Sequence, residues 1–423
     1  MLEITKIKEE TSEVIERLQK RGVDMSNEIN LVLKLNKDRI TNQQKLDLKL
    51  TEGNRISQKI PKLVQEKKFE EIEELKKQAG VLKNTAKNLT LYAKKIEEKI
   101  KNQLTTIPNI PHTSVPVGND VKNNIIVSEY GTSKEITNPL PHWELAEKYD
   151  IINFKDGGKI TGSGFPVYKN LGAKLQRGLI NFFLDYNSSA GYTEYIPPYF
   201  VNQDSAFNTG QLPDKEGMMY EIGKDQLYAI PTAEVPITNI FRDTRVSTKN
   251  LPIKCTAYSP CFRREAGSYG KDVRGLNRLH QFDKVEIVQI CHPNKSYKIL
   301  EEMVAHVSEL LKKLDLRFRV VKLCGGDLGF TSALTYDFEV YSTAQNKWLE
   351  VSSVSNFETY QANRLNLKCI SDDKVSTLCH TLNGSSLALP RIVACLLEQN
   401  QQQDGIILPE ILFQYTGFEK ISN

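Results

Sequence analysis

Residues 259–290 hold the side chains whose types and spacing are best suited to chemistry. They read SPCFRREAGSYGKDVRGLNRLHQFDKVEIVQI, two strand-like pieces around a loop rich in glycine and charge. Arg263 on a strand could grip a phosphate through two parallel hydrogen bonds, and Glu265, two residues on, would share its face. Glu265 could accept from the exocyclic amine of adenine, Phe282 could stack on a flat ring, and Glu286 could bind an ammonium. An isolated Arg-x-Glu pair is more typical of a β-hairpin with surface salt bridges.

Two further segments place a hydroxyl close to a carboxylate. Thr232 and Glu234, in the run IPTAE, could present both groups on one face to a small amino compound. A helix N-cap followed by an acidic first turn is the more common meaning of such a pair. Glu350 and Ser353, on or after the strand-like run WLEV, could hold Mg²⁺ between phosphates. The ordinary alternative there is a strand end capped by serine.

A fourth segment, HTLNGSSLALPRIVACLLEQNQQ, begins at His380 and could bind an anion. The small residues 383–386 predict a turn that leads into an apolar helix with Arg391 near its start. Such a helix would aim backbone N–H groups and Arg391 at the anion. A buried C-terminal helix is the plain alternative, and each of the four segments is weak taken alone.

The elements that would position these residues change character near residue 105. Residues 1–104 contain one proline, Pro61, three glycines and two aromatic residues, Phe69 and Tyr92. This segment has little with which to build a compact core, but it is rich in the helix formers Leu, Lys, Glu, Gln and Ala. Two long helices are therefore expected here.

The second half of this segment has an apolar seam of the coiled-coil type. Two series with a spacing of seven, offset by three, run over four heptads: Ile72, Ala79, Ala86, Ala93 and Ile100, with Leu75, Leu82, Leu89 and Ile96. The first half, about 28 to 60, is less regular, with apolar residues at mixed spacings: Leu33, Leu35, Ile40, Leu46, Leu50, Ile56 and Ile60. Pro61 is expected to end the first helix, with a turn within 61–70 and an antiparallel arm about 50 Å long.

Three functions remain open for this hairpin on periodicity and charge. It could be a dimerising coiled coil, a scaffold for protein partners, or an RNA clamp. Lysines outnumber acids on the second helix near the body and could pair with phosphates, although a lysine-rich helix is more often a solvated face. These lysines are Lys83, Lys87, Lys94, Lys95, Lys99 and Lys101.

Proline and small polar residues dominate 105–141, which predicts an extended connection. Beyond it, a helix is expected near 168–186 and another over 294–314. Consecutive strand-like segments without intervening helices favour an antiparallel sheet in an α+β domain. These segments are GYTEYIPPYFV, KCTAYSPCFRRE, HQFDKVEIVQI, RFRVVKLC, TYDFEVYS and KWLEVSSVSN.

Composition narrows the class of protein. The net charge of +4 on 423 residues is modest, so any surface for nucleic acid must be local. The seven cysteines form no C-x-x-C pair, which predicts reduced thiols in a cytoplasmic protein with neither a disulfide framework nor a zinc site. No targeting peptide and no membrane association are expected, since the N-terminus mixes acids with bases and no apolar run reaches about 18 residues.

Taken together and in this order, the segments resemble the seryl-tRNA synthetases, a family of class II aminoacyl-tRNA synthetases, over essentially the whole chain. The resemblance rests on the N-terminal arm, TAEVP, FRREAGSYGKDVRGLNRLHQFDKVE, EVSSVSNFETYQANR and TLNGSSLALPR…LLEQNQ…ILPEIL. It implies an antiparallel β-sheet flanked by helices and preceded by an antiparallel coiled-coil arm. The implied domains are a tRNA-binding arm over 1–105, a linker over 106–141 and a class II catalytic core over 142–423.

The resemblance also implies roles for individual residues. Arg263, Glu350 and Arg391 would be catalytic, with Arg263 on the α-phosphate and Arg391 on the γ-phosphate. The implied ATP-binding residues are Arg263, Arg264, Glu265, Leu279, Phe282, Glu350, Val351, Ser352, Ser353 and Arg391. The implied serine-binding residues are Thr232, Ala233, Glu234, Arg263, Glu286, Asn383 and Ser385. Glu350 and Ser353 would bind Mg²⁺, and no zinc is expected.

The implied reaction has two steps: serine and ATP give seryl-adenylate and pyrophosphate, and the seryl group then passes to the 3′ end of tRNA(Ser). Charging of tRNA(Sec) stays open. The arm would reach the long variable arm of the tRNA, while a helix from about 168 and a strand near Pro197 would form a homodimer through the catalytic domain.

Rival functions fit the sequence less well. A threonyl or prolyl class II enzyme is disfavoured by the missing Cys/His zinc set and by the arm, and a truncated relative that loads carrier proteins would lack the arm. A class I synthetase would need HIGH-like and KMSKS-like motifs, which this sequence does not contain. A non-enzymatic coiled-coil protein would not need the four site segments.

Overall fold

The computed structural model describes residues 1–132, 136–214, 216–265 and 274–422. The chain divides into two compact units. The helical unit contains Leu2–Gln19 and Val23–Pro108, and the larger unit contains Met1, Lys20–Gly22 and Asn109–Asn423. Within the described ranges, no helix combines the length and the apolar character that a membrane crossing requires.

Two long helices make up most of the helical unit. Short helices α1 (Ile4–Glu9) and α2 (Thr11–Gln19) precede α3 (Ser26–Gln65) and α4 (Phe69–Thr106). Three residues join α3 to α4, so the two pack side by side in opposite directions. Asn42 Nδ2 donates to the Leu89 carbonyl across the pair at 3.0 Å. With 40 and 38 residues, each helix is about 60 Å long, longer than the sequence predicts.

The prediction that Pro61 ends the first helix is wrong. Pro61 lies inside α3, which continues to Gln65. Proline removes one backbone hydrogen bond and crowds the preceding turn. Because only one further turn follows Pro61, and because α4 packs along the same stretch, the helix absorbs this local cost. The turn between the helices lies within the predicted range 61–70.

The apolar seam of α4 is confirmed, since all nine seam residues are buried or half-buried. The irregular pattern of α3 also has an explanation. Asn36 and Asn42 are buried, whereas Ile40 and Leu50 are 41% and 50% exposed. Two polar residues therefore occupy seam positions in α3, which is why its apolar residues alone show no heptad.

Part of the predicted extended connection belongs to the core of the larger unit. Ile110 and Val115 are buried, and the backbone N–H groups of Asn109 and His112 donate to the carbonyls of Phe330 and Ala333. Strand β1 (Ile125–Tyr130) then joins the edge of the main sheet. Prolines keep the backbone extended here, but the apolar residues between them are buried in the larger unit.

The larger unit alternates helices with strands. Its helices are α5 (His142–Lys148), α6 (Phe154–Ile160), α7 (Asn170–Ser189), α8 (Gln203–Thr209), α9 (Glu234–Asn239), α10 (Ser296–Lys313), α11 (Tyr360–Leu365), α12 (Leu389–Gln399) and α13 (Phe413–Thr416). Its strands after β1 are β2 (Ile152–Asn153), β3 (Val167–Tyr168), β4 (Thr193–Tyr195), β5 (Phe200–Asn202), β6 (Tyr220–Ile222), β7 (Leu227–Ala229), β8 (Arg245–Ser247), β9 (Ile253–Phe262), β10 (Gln281–Cys291), β11 (Phe318–Lys322), β12 (Leu334–Ser342), β13 (Lys347–Asn356), β14 (Lys368–Ile370), β15 (Ser376–Leu378), β16 (His380–Ala388), β17 (Gln401–Gln402), β18 (Gly405–Ile407) and β19 (Lys420–Ile421).

Eight strands form the main sheet, in the order β1-β11-β12-β13-β16-β10-β9-β4. Every neighbouring pair is antiparallel except β4 with β9, which is parallel. Helices α7, α10 and α12 pack against the sheet and share its largest apolar core. The predicted α+β fold, the helices near 168–186 and 294–314, and five of the six predicted strands are confirmed. The sixth, GYTEYIPPYFV, is instead two short strands, β4 and β5, which belong to different sheets.

The small residues 383–386 form part of a strand, so the predicted turn is wrong. They lie within β16, which pairs with β10 on one side and with β13 on the other. A Cβ added at Gly384 would come within 3.0 Å of the Val354 side chain. The small residues therefore permit close packing within the sheet. A run of small residues that serves close packing cannot be told from one that forms a turn by sequence alone.

Candidate active site

A cavity of about 320 Å³ opens on one face of the main sheet. This volume is within the usual range for a small-molecule site. The predicted site residues that line it are Thr232, Glu234, Arg263, Glu265, Leu279, Phe282, Glu286, Glu350, Val351, Ser352, Ser353, Asn383, Ser385 and Arg391. Segments far apart in the chain thus meet because they lie on adjacent strands or at strand ends.

Two predicted residues do not line the cavity. Ala233 is fully buried in the apolar core beside it. Arg264 has its guanidinium 5.8 Å from the centre of the Tyr220 ring, and its backbone N–H donates to the carbonyl of Met218, a lining residue. Eight residues of the predicted glycine-rich loop, 266–273, lie outside the described residues.

Arg263 is held at the end of β9 by three contacts. Its backbone N–H donates to the His280 carbonyl at 2.9 Å, and its Nε donates to the Pro231 carbonyl at 3.4 Å. Its guanidinium is 5.2 Å from the centre of the Phe282 ring, within reach of a cation–π interaction. A positive group and an aromatic face are therefore already oriented in one wall of the cavity.

The sequence argument that placed Glu265 on the same strand face as Arg263 does not hold. Strand β9 ends at Phe262, so both residues lie beyond it, and Glu265 has a positive φ of 51°. The backbone turns there, and the carboxylate of Glu265 accepts a hydrogen bond from Arg278 Nη1 at 3.2 Å. Both side chains still reach the cavity, but through the turn and not through strand alternation.

A β-bulge brings Glu350 and Ser353 to the same cavity. Three residues apart on a regular strand, they would point to opposite faces. Strand β13 pairs Ser352 with Phe338 and Glu350 with Glu339, so Val351 is the extra residue of the bulge. Ser352 is buried and donates its hydroxyl to the Ser385 carbonyl at 2.6 Å, which ties β13 to β16.

The donor set beside this bulge fits a hard divalent cation such as Mg²⁺. Glu350 and Ser353 offer a carboxylate and a hydroxyl, the oxygen ligands that Mg²⁺ prefers. Asp337, directly opposite Ser353 on β12, has a buried oxygen, Oδ1, without a hydrogen-bond partner. Burial and the neighbouring Glu350 hold the pKa of Asp337 well above its usual value. An added cation would satisfy these oxygens.

Arg391 closes the same end of the cavity. It is the third residue of α12, and Pro390 occupies an early position where proline is well tolerated. Arg391 Nε donates to the Asn277 carbonyl at 3.1 Å, and Nη1 donates to the Glu350 carbonyl at 2.6 Å. The guanidinium therefore joins the helix start to the strand that carries Glu350.

A buried hydrogen-bonded pair supports the segment that carries Asn277 and Leu279. His142 Nε2 accepts from the Leu276 backbone N–H at 2.8 Å, and His142 Nδ1 is 2.8 Å from Glu398 Oε1. His142 and Glu398 are both fully buried. Since a buried carboxylate with several donors is rigid, this pair fixes the segment that carries the carbonyl bound by Arg391.

The opposite end of the cavity is polar and buried. Glu234 is the first residue of α9, and its backbone N–H donates to the Thr232 hydroxyl at 3.2 Å, although the N-cap residue of this helix is Ala233. Gln361 Nε2 donates to Glu234 Oε1 at 2.6 Å. Ser385 Oγ is 3.5 Å from Glu286 Oε2. Two carboxylates and several hydroxyls thus meet in a space that suits a small polar molecule with an ammonium group.

Burial changes the acidity of both carboxylates. Burial and then the neighbouring Glu286 raise the pKa of Glu234 to about 7, although Gln361 lowers it in part. Burial also raises the pKa of Glu286, against the effect of the nearby Lys284. A cation between these carboxylates would stabilise their ionised forms.

Comparison with known proteins identifies the family. A sequence profile described as "Seryl-tRNA synthetase N-terminal domain" matches residues 1–111, and one described as "tRNA synthetase class II core domain (G, H, P, S and T)" matches residues 219–400. The serine–tRNA ligase of Salinibacter ruber is 46% identical over 424 residues, which cover 100% of this chain and 99% of that protein.

The chain belongs to the seryl-tRNA synthetase family. It is therefore an ATP-dependent serine–tRNA ligase.

Solved structures agree with this assignment. The seryl-tRNA synthetase of Pyrococcus horikoshii, complexed with ATP, superposes with a TM-score of 0.94 at 32% identity, covering 100% of this chain and 99% of that chain. The cytoplasmic enzyme of Naegleria fowleri, complexed with AMP, gives a TM-score of 0.88 at 27% identity with the same coverage. Helical arm and catalytic core alike thus have counterparts in this synthetase family.

Sequence reasoning gave no role to three polar residues that contact or adjoin the predicted residues of this synthetase site. Lys284 and Gln361 contact the two buried carboxylates, and Asp337 adjoins Glu350. Lys284 was detectable, because it stands between Phe282 and Glu286 with a spacing of two on the same strand face. Gln361 and Asp337 carried no local signal, since each reaches the site from another element.

Replacing Glu234 with glutamine is expected to stabilise the protein at pH 8. A carboxyl group whose pKa is raised on folding binds protons more readily in the folded state, so stability falls as pH rises from about 4.5 to about 7. Glutamine does not ionise, so it removes this loss of stability, which is at most about 3 kcal/mol. Its side-chain oxygen can still accept the hydrogen bond from Gln361.

Thermal unfolding of wild type and Glu234→Gln between pH 5 and pH 8 measures the effect. The gain in midpoint temperature should be largest at pH 8 and should shrink toward pH 5. Glu302→Gln, at an exposed glutamate of α10, is the matched control and should show no such trend. An equal gain at every pH would contradict the explanation from burial.

Proposed function

We propose that serine and ATP react in this cavity and that the residues at one end bind ATP while those at the other end bind serine. The adenosine and phosphates lie at the end with Arg263, Phe282 and Arg391, and serine lies at the end with Glu234 and Glu286. The observation that carries the proposal is the placement of two arginines and two buried carboxylates in one cavity of the size of small-molecule sites.

In the first step, the serine carboxylate attacks the α-phosphorus of ATP in line, and pyrophosphate leaves. Arg263 stabilises the charge that develops on the α-phosphate, and Arg391 holds the γ-phosphate. Phe282 stacks on adenine, Glu265 accepts from its exocyclic amine, and Leu279 adds an apolar contact. Arg264, whose backbone N–H donates to Met218 of the cavity lining, completes the ATP-binding set. No general base is needed, since the serine carboxylate is already ionised at neutral pH.

Mg²⁺ is proposed to be held by Glu350 and Ser353, with Val351 and Ser352 shaping the bulge that presents them. When bound, the ion would neutralise phosphate charge and orient the leaving pyrophosphate. The hard oxygen donors and the unsatisfied oxygen of Asp337 support Mg²⁺ over a softer metal.

Serine is proposed to bind through its ammonium and its hydroxyl. Glu234 and Glu286 supply negative charge for the ammonium, and Thr232, Asn383 and Ser385 supply polar partners. Ala233 contributes backbone and close packing. A site that hydrogen-bonds the hydroxyl rejects alanine strongly, whereas one extra methyl on threonine gives only about 1–3 kcal/mol of discrimination. Rejection of threonine must therefore come from the tight fit of the buried walls.

In the second step, the terminal ribose 3′-hydroxyl of tRNA(Ser) attacks the acyl carbon of the adenylate, and AMP leaves. The arm of α3 and α4 is proposed to hold this tRNA. Six lysines along α4 are exposed and able to pair with phosphates: Lys83, Lys87, Lys94, Lys95, Lys99 and Lys101. The same contacts would admit a serine-accepting tRNA(Sec), so both RNAs belong in a charging assay.

A homodimer through the catalytic unit is proposed from the surface around α7 and β4. Tyr195, Ile180 and Leu184 line an open groove there. Ile196 lines the same groove and is 85% exposed. Exposed apolar residues in one patch are typical of an interface.

The cytoplasm is the proposed compartment, because all seven cysteines are unpaired thiols, as is usual in reducing compartments.

Amino-acid-dependent exchange of pyrophosphate into ATP tests the proposed reaction. The full-length protein is assayed with each of the twenty amino acids in turn, and serine should stimulate exchange far above the others. Transfer of labelled serine to tRNA then tests the second step. Stimulation by a different amino acid, with serine inactive, would overturn the assignment of the pocket.

A further inference from the structure

A lysine lies buried in the middle of the cavity, between the two ends that the proposed function separates. Lys284 is 7% exposed, and its Nζ is 2.6 Å from Glu286 Oε2, while Glu286 is 1% exposed. Phe282, Lys284 and Glu286 alternate along β10, so all three side chains face the cavity. The two-step reaction as described above gives Lys284 no role.

The charges around Lys284 are balanced. Glu234 on α9 and Glu286 on β10 are the carboxylates that face it, and Arg263, after β9, is the other cation of this region. Cys261 on β9 is also near Lys284, and burial raises the pKa of its thiol, so it stays neutral. Asn383 and Ser385 on β16 and Gln361 on α11 add polar groups without charge. Arg263 is committed to phosphate, so Lys284 is the cation closest to the carboxylate pair.

This balance matters when serine binds. Serine brings one ammonium to two carboxylates. If the ammonium of Lys284 were missing, two ionised carboxylates would face one cation in a dry site, and one of them would take up a proton. A protonated carboxyl group attracts an ammonium much less than a carboxylate does. With Lys284 in place, both carboxylates stay ionised and the charges remain paired.

We propose that Lys284 is a positioning residue for serine, which holds the Glu286 carboxylate in place and keeps it ionised for the substrate. This inference rests on the proposed contact between Glu286 and serine. Lys284 acts through Glu286, so its loss should weaken the binding of serine and leave the binding of ATP nearly unchanged. A lysine that served the fold alone would not separate the two substrates.

The test measures serine-dependent pyrophosphate exchange between pH 6 and pH 9 for wild type and Lys284→Met. We expect KM for serine to rise by about tenfold or more, while KM for ATP changes by less than about twofold. The pH midpoint of kcat/KM for serine should move upward, because without the lysine a higher pH is needed to ionise both carboxylates. Lys254→Met, a lysine of β9 outside the cavity lining, is the matched control and should behave as wild type.

Lys284→Arg provides a second variant that keeps the buried charge. It should retain the wild-type pH midpoint while still raising KM for serine more than KM for ATP, because the larger planar group displaces the carboxylate. If Lys284→Met does not fold, as judged by circular dichroism, the result for Lys284→Arg decides whether the proposal stands. Equal changes in both KM values, or no change in KM for serine, would overturn the proposal.

Two controls separate this inference from the proposed function. If serine does not stimulate exchange by wild type, the proposed reaction fails. If Glu286→Gln leaves KM for serine unchanged, the assignment of Glu286 fails. The proposed role of Lys284 alone is rejected if wild type and Glu286→Gln behave as expected while the Lys284 variants show no defect specific to serine.

Discussion

Replacement of Arg263 with alanine is expected to slow serine-dependent pyrophosphate exchange by about 10²–10³-fold, the usual effect of removing one donor that stabilises a developing charge. The guanidinium is fixed in advance by the Pro231 carbonyl and the Phe282 ring. It therefore reorganises little during the reaction, and its charge acts fully at the transition state. The loss should appear mainly in kcat, since this interaction strengthens as the α-phosphate gains charge.

Two variants control this experiment. Arg263→Lys keeps the charge but loses the planar fork that can donate two parallel hydrogen bonds, so we expect it to recover only part of the rate. Arg245→Ala removes an exposed arginine of β8, outside the cavity lining, and should be as active as wild type. Exchange at the wild-type rate in Arg263→Ala would rule out its role at the α-phosphate.

Deletion of the arm over residues 28–104 is expected to abolish tRNA charging and to spare serine activation. Every cavity residue lies in the larger unit, so the first step should not need the arm. If the arm holds the tRNA, the second step loses its substrate. The measurement compares pyrophosphate exchange with the transfer of serine to tRNA on the same preparation.

The antiparallel register makes this deletion practical. Asn42 lies opposite Leu89, so residue 28 lies opposite about residue 103, and a short Gly-Ser linker can join the cut ends. A milder deletion of residues 45–86 removes the distal half of the arm and leaves α1 and α2 packed on the base of α3. Charging that survives both deletions would mean that the arm has another role.

The helical arm shows where sequence patterns succeed. The heptads of α4 are visible because each seam position is apolar. In α3, Asn36 and Asn42 occupy seam positions, and Asn42 reaches a backbone carbonyl of the facing helix. A buried asparagine looks like a surface residue in sequence, because what satisfies it belongs to another helix.

Several features of the cavity also could not be predicted from local sequence. Glu350 and Ser353 share a cavity because of a bulge at Val351, which is defined by pairing with β12. Glu265 reaches it through a backbone turn beyond β9. Asn383 and Ser385 line it from a strand, because β10 pairs with both residues and β13 pairs with Asn383 on the other side. Each of these features depends on a neighbour that is distant in the chain.

The sequence by itself determined the antiparallel α+β architecture and the two-helix arm, because apolar periodicity reflects short-range geometry. The order and spacing of its motifs resemble one family, and that resemblance named 14 of the residues that line the cavity. Only the tertiary structure decided which groups share the buried space. Lys284 pairs with Glu286, Gln361 holds Glu234, and Asp337 adjoins Glu350. Burial and charge pairing set the acidity of these groups, and both depend on contacts between strands and helices that the chain order does not reveal.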